Sequence, residues 1–344
     1  MIPIDPAHGQ AAFGNLTPQL AMSVVEEGWH LRCDGSFFAY PSYINRVYGL
    51  RSEDGDQYVV KFYRPGRWTE AAIRDEHRFL AQLAEAEVPV IPPILDADGD
   101  SLLSLVLDGG SDAATSADAA EIHCALFAKT PGRSFDADSL DDMERLGSLA
   151  GRIHAVGATG PALARLVIQP GLASGYVQEL LQADVIHPDA LAGLVPTLTG
   201  CAAYIDGQLA DYQLPTSRLH GDFHRGNILD RGGGSLVAVD FDDMCCGPAI
   251  LDLWMLLPDR PAKCPAERDA LLAGYERFRA FDATSFGLVP ALQLLRIIHY
   301  LAWQCRQRHD QGFQQHFPGW GGRGFWLQEA EDLACRLAEP ETGQ

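Results

Sequence analysis

The chain has 344 residues, 47% of them apolar and 21% charged, and 46 acidic against 26 basic side chains leave a net charge of −20. This is an ordinary globular composition, long enough for two domains or one two-lobed body with a sizeable core. The acidity argues against a general nucleic-acid binder and against docking on anionic membranes, so any phosphate site must draw its positive charge from a few Lys or Arg or from metal ions.

The opening "MIPIDPAHGQ" has neither a basic nor an apolar leader segment, so no secretory signal is expected. Residues 16–31 carry Leu16, Leu20, Val24 and Val25 near helical spacing. The runs "YINRVYGL" (43–50) and "QYVVKFY" (57–63), joined by a polar turn with Gly55, predict a β-hairpin. "TEAAIRDEHRFLAQLAEAE" (69–87) predicts a helix capped by Thr69 and ended by the Pro-rich "VPVIPPI". "SLLSLVL" (101–107) and "IHCALFA" (122–128) predict two further strands, separated by an Ala/Ser/Asp-rich loop. After "KTPGRSF" (129–135), a short linker, an amphipathic helix runs over 139–157 from Ser139, and most of the remainder is helical. The late apolar run "LVPALQLLRIIHYLAW" is interrupted by Arg296 and His299, which suits a buried helix better than a membrane span. The eight cysteines include no C-x-x-C pair, so free thiols in a reducing cytoplasm are expected. The class is therefore α+β, with a β-rich N-terminal lobe over 1–130 that contains one prominent helix, and a larger helical lobe over 131–344.

Lys61 is out of place in an apolar strand, and Glu76 is equally out of place at the centre of the apolar stripe of the following helix, which leaves Asp75 on the wet side. Lys61 either snorkels from an edge strand while Glu76 is merely tolerated, or the two pair. Pairing explains both anomalies with one bond. Further along, "HGDFHRGNIL" sets Asp222 and Asn227 five apart between glycines, the spacing of the kinase catalytic loop, and Asp240 in "VDFDD" takes the position of the D-F-G aspartate. A carboxylate at a strand end beside an Asn carbonyl suits hard Mg²⁺. Each stretch alone reads equally as a polar turn; their order downstream of Lys61 and Glu76 favours phosphoryl transfer. Cys245 and Cys246 read as small packing residues, and His224 as a residue that shapes the loop, since Mg²⁺ prefers oxygen to imidazole.

Together, "SYINRVY", "VVKFYRPGRW", "HGDFHRGNIL", "VDFDD" and "GPAILDLWMLL" resemble the aminoglycoside phosphotransferase and choline kinase superfamily over residues 35–330. "KFYRPGRW" and "DLWMLL" narrow the resemblance to a branch of bacterial stress-response Ser/Thr protein kinases. The resemblance implies a protein-kinase-like bilobal fold, ATP as co-substrate, Mg²⁺ as cofactor and a protein Ser/Thr hydroxyl as acceptor. The alternative acceptor is a small hydroxylated molecule of the aminoglycoside, choline or homoserine kind, and a non-catalytic nucleotide-binding module is disfavoured because the chemical residues are all present. The catalytic residues implied are Asp222, as base, and Asp240. Asn227 and Asp240 would hold magnesium, Lys61 paired to Glu76 would touch the nucleotide phosphates, Ser42 would lie in the loop over the nucleotide, and Asp252 would brace the catalytic loop. The chain departs from the eukaryotic kinase pattern in lacking a G-x-G-x-x-G loop and in carrying Asp242 where D-F-G has Gly. A choline-type site would require an aromatic cage, for which Trp303, Trp320 and Trp326 are candidates.

Overall fold

The computed structural model describes residues 16–107, 120–310 and 312–338; the N-terminal decapeptide and the low-complexity loop after Leu107 lie outside the described residues. The chain divides into two compact units. The first comprises Met1–Asp136, Ala162–Arg165 and Arg225–Met244, and the second Ala137–Pro161, Leu166–His224 and Cys245–Gln344.

In the first unit, α1 (Pro18–Trp29) starts at Thr17, whose side chain accepts the Leu20 N–H. The strands β1 (Cys33–Tyr40), β2 (Arg46–Ser52), β3 (Gln57–Phe62), β4 (Pro93–Ile94), β5 (Leu103–Leu107) and β6 (Ala120–Ala128) form one antiparallel sheet in which both β4 and β5 pair with β6. The β2–β3 hairpin has the expected register, Arg46 opposite Phe62 through Arg51 opposite Gln57, and Gly55 takes the left-handed conformation that its turn requires. The sequence pattern missed β1, because "CDGSFFAY" lacks clean alternation and its ladder to β2 is irregular between Cys33 and Phe37. Val60, Phe62, Ile122 and Leu126 from the sheet pack with Val25 and Trp29 of α1 in one core.

Helix α2 (Glu70–Glu85) begins as expected at Thr69, which accepts the Ala72 N–H at 3.2 Å. It buries Ile73, Phe79 and Leu83, and it also buries Asp75, Glu76 and His77. The expectation that Asp75 faces water is overturned. The segment 162–165 returns to this helix, where the Ala164 N–H donates to the Asp75 carboxylate at 2.8 Å, so the side opposite the sheet is covered as well. The strands β7 (Arg133–Ser134), β9 (Ile228–Asp230) and β10 (Leu236–Ala238) make a small second sheet, β10–β9–β7, so the segment expected to be a linker contributes a strand here. The apolar run expected to be strand through Asp240 leaves the ladder after Ala238, since Asp240 turns to φ 62°, ψ 66°.

The second unit contains α3 (Leu140–Gly157), α4 (Leu172–Gln182), α5 (Pro188–Tyr212), α6 (Ile250–Leu256), α7 (Pro265–Tyr275), α8 (Val289–Gln307), α9 (Phe313–His316) and α10 (Arg323–Ala338), with a two-stranded sheet of β8 (Ser217–Leu219) and β11 (Cys245–Gly247). Ser139 caps α3, accepting the Asp142 N–H at 3.1 Å. Helices α3 and α7 touch backbone to backbone: a Cβ at Gly147 would collide with the Leu271 carbonyl, and one at Gly274 with that of Glu144. By length and composition the apolar stretch Ala283–Gln307 could cross a bilayer, but α8 within it buries Leu292, Leu295, Ile298 and Leu301 in this unit. Cys245 and Cys246 sit buried in β11, paired in register with Leu219 and Arg218, and all eight cysteines are free thiols.

Candidate active site

Within the first unit, chemistry gathers around Lys61. Strand β3 turns this side chain toward α2, where burial alone would push its ammonium down. Asp242 and then Glu76 overturn that and hold it well above its ordinary value. Its nearest carboxylate is Asp242 at 2.9 Å, followed by Asp240 at 3.6 Å and Glu76 at 4.0 Å. The Lys61–Glu76 pair read from the sequence is present but loose. Glu76 makes its close bond elsewhere, with Arg165 at 2.6 Å.

Arg165 is fully buried and ties three parts of the first unit together. Its Nε donates to the Ala72 carbonyl at 2.7 Å, Nη1 to the Asp242 carbonyl at 2.7 Å, and Nη2 to Glu76, while the guanidinium lies 4.4 Å from the Trp68 ring centre. Arg67 joins the same cluster, reaching Asp242 at 3.1 Å and Asp243 at 2.7 Å. Burial pushes the Asp242 carboxyl up, but Lys61 and Arg67 outweigh it and hold the group well below its ordinary value. Asn45, buried in the β1–β2 loop, donates to Asp242 at 3.3 Å and accepts the Arg64 N–H at 3.1 Å. Ser42 lies half-buried in that same loop.

The β9–β10 hairpin delivers Asn227 and Asp240 to one end. Ile228 pairs with Ala238, and the Val239 N–H donates to the Asn227 carbonyl at 3.0 Å, one residue short of Asp240. Asp240 holds a left-handed backbone that asparagine and aspartate tolerate better than other side chains, and its carboxylate is 60% exposed. Glu76, Asp240, Asp242 and Asp243 face Lys61, Arg67 and Arg165 in this cluster. The exposed Asp240 oxygens and the all-oxygen donors of Asp240 and Asn227 fit a hard divalent cation. Among the described residues no group of three or more His, Cys, Asp or Glu side chains forms a metal site; an ion held by Asp240 and Asn227 would take further oxygens from water and phosphate.

Asp222 belongs to the second unit. Two attachments fix the backbone and side chain of its loop. Asp252 of α6, fully buried, accepts the His220 N–H at 2.8 Å and the Gly221 N–H at 2.9 Å, and its Oδ2 lies 3.0 Å from His154 Nε2. Gly221 has φ 86°, a left-handed turn that a side chain would strain. The Asp222 carboxylate receives Arg296 Nη2 at 2.7 Å on Oδ1 and stands 3.4 Å from His224 Nε2 on Oδ2. Burial raises this carboxyl, but the His224 hydrogen bond and the Arg296 charge outweigh it and keep it ionised well below the usual carboxylate range. Trp326 is fully buried with its N–H on the Val185 carbonyl at 2.8 Å, so it packs the core and walls no cage.

Sequence reasoning missed Arg165, Arg67, Asn45 and Arg296. Arg165 sits in "ALARLV", which carries no local signal. Arg296 had one, since it interrupts an apolar helical run.

The phosphotransferase enzyme family (APH) matches residues 39–286. Stress response kinase A of Escherichia coli K12 is 36% identical over 335 residues, 95% of each chain. The serine/threonine protein kinase RdoA of Salmonella typhimurium is 35% identical over 326 residues, 92% of this chain and 91% of the relative. Among solved structures, amicoumacin kinase hAmiN in complex with AMP-PNP, Ca²⁺ and Ami superposes with a TM-score of 0.69 at 19% identity, covering 93% of this chain and 94% of that one. The microcompartment-associated aminopropanol kinase gives 0.65 at 18%, covering 95% and 100%. These two structures share the fold.

Proposed function

Because this chain belongs to the APH phosphotransferase enzyme family and is a kinase homologous to stress response kinase A, we propose that it transfers the γ-phosphoryl group of ATP to a serine or threonine hydroxyl of a protein, with Mg²⁺ as cofactor, in the cytoplasm. The observation that carries this reading is the 35% identity, over 92% of the chain, to a relative described as a serine/threonine protein kinase.

Phosphoryl transfer needs in-line positioning and neutralisation of charge more than covalent chemistry. Asp222, kept ionised by His224 and Arg296, holds the acceptor hydroxyl and takes its proton as the new O–P bond forms and the bond to the ADP oxygen breaks. Lys61, kept fully charged by Asp242 and Glu76, meets the nucleotide phosphates. The loop that carries Ser42 covers the nucleotide in place of a glycine-rich loop. Asp240 and Asn227 would hold magnesium, which neutralises the phosphate oxygens and orients them. Asp240 thereby acts as the second catalytic residue.

Mass spectrometry after incubation with Mg·ATP tests the acceptor. The expected result is phosphoserine or phosphothreonine on the chain or on an added histone. Phosphorylation confined to an added aminoalcohol or aminoglycoside would overturn the protein-kinase reading in favour of a small-molecule kinase.

A further inference from the structure

Arg296 has no role in the reading above beyond its charge, yet its position is unusual. It breaks the apolar run of α8, a helix whose neighbouring positions Leu292, Leu294, Leu295 and Ile298 are buried. Its guanidinium leaves that core on the face that meets Asp222: Nη2 donates to Oδ1 at 2.7 Å, while Nη1 contacts the Met255 sulfur at 3.1 Å. Met255 lies on α6, three residues after Asp252. One short helix therefore supports the loop twice. Through Asp252 it pins the backbone at His220 and Gly221, and through Met255 it steadies the arginine that pins the side chain of Asp222.

We propose that Arg296 is a positioning residue for phosphoryl transfer. It fixes the rotation of the Asp222 carboxylate so that Oδ2, on the His224 side, is the oxygen presented to the acceptor hydroxyl. An aspartate side chain turns about two bonds, and the His224 contact on Oδ2, 3.4 Å long, is too loose to fix that rotation by itself. A guanidinium held at a second point by Met255 removes that freedom, and lysine, a point charge on a flexible stem, restores it only in part. The pair is nearly half exposed on the arginine side, 48% against 25% for Asp222, and an ion pair so exposed adds little to stability. Its effect therefore falls on turnover and not on folding.

This inference rests on Asp222 being the base, and the experiment separates the two. Turnover of labelled ATP, summed over protein, small acceptor and water, is measured for the wild type, Arg296→Met, Arg296→Lys and Asp222→Asn. Arg296→Met should lower kcat about tenfold to a hundredfold, the scale of a misplacement of about 1 Å, with KM for ATP and the thermal midpoint unchanged. Arg296→Lys should fall between Arg296→Met and wild type. Full kcat in Arg296→Met, or a loss carried by KM for ATP, overturns the positioning role. Wild-type turnover in Asp222→Asn overturns instead the reading on which it rests.

Discussion

Replacing Arg165 by methionine should destabilise the first unit more than any change to an exposed ion pair. The side chain is fully buried, and its guanidinium donates to the Ala72 and Asp242 carbonyls and to Glu76, at 2.6 to 2.7 Å. Methionine fills much of the same space but leaves Glu76 with only Lys61, 4.0 Å away, and leaves both carbonyls without this donor. Breaking a buried pair by removing one partner costs about 3–5 kcal/mol. The remaining attraction of Lys61 puts the expected loss at the lower end, about 3 kcal/mol, a large part of the roughly 5–15 kcal/mol that holds a domain together. Urea denaturation followed by tryptophan fluorescence reads it directly, since the guanidinium lies against Trp68. Adding Glu76→Leu to Arg165→Met removes the stranded carboxylate and should recover stability, so the pair must be strongly non-additive. A loss below about 1 kcal/mol in the single variant, or simple additivity in the double, would refute the view that Arg165 and Glu76 form the buried tie between α2 and the 241–243 turn.

Asp240→Ala should weaken ATP binding by raising the magnesium concentration required, while Asp243→Ala, whose carboxylate is bonded to Arg67 at 2.7 Å, should not; an unchanged magnesium dependence in Asp240→Ala contradicts the metal assignment. His77, buried between Tyr63 and Ser101, is pushed down to about 3 by burial and by Lys61 and Arg165. The folded chain therefore stays unprotonated there while the unfolded chain takes up a proton below its ordinary 6.5. This contribution to stability is complete above pH 6.5 and is lost as pH falls toward 3, at about 1.4 kcal/mol per pH unit. His77→Gln should be measurably less sensitive than wild type over pH 6.5 to 4, and parallel pH curves would contradict the assignment.

Much of this fold was legible because local signals agreed with the final structure. The caps at Thr69 and Ser139 and the Gly55 turn are where side-chain chemistry dictates them. The sequence also marked Lys61, Glu76, Asp222, Asn227 and Asp240, because each sets a polar group where the surrounding pattern is apolar or glycine-rich. It did not show everything these groups touch. Lys61 lies nearest Asp242 because the residue that replaces the usual glycine there is itself a carboxylate, and Glu76 is claimed by Arg165, which arrives from 89 positions away. No periodicity reports such a long-range return of the chain. Asp75 was misread for the same reason, since the segment that buries it, 162–165, is invisible to the pattern of α2.

On the proposed function, Asp222 handles the proton of the acceptor hydroxyl and leaves the nucleotide site intact. Transfer from labelled Mg·ATP, measured beside ATP affinity for the wild type and Asp222→Asn, tests it most directly. The asparagine variant should lose about 10²- to 10⁴-fold in turnover and bind ATP as tightly as the wild type. Near-wild-type turnover in that variant, or a loss that follows ATP affinity, would contradict the account.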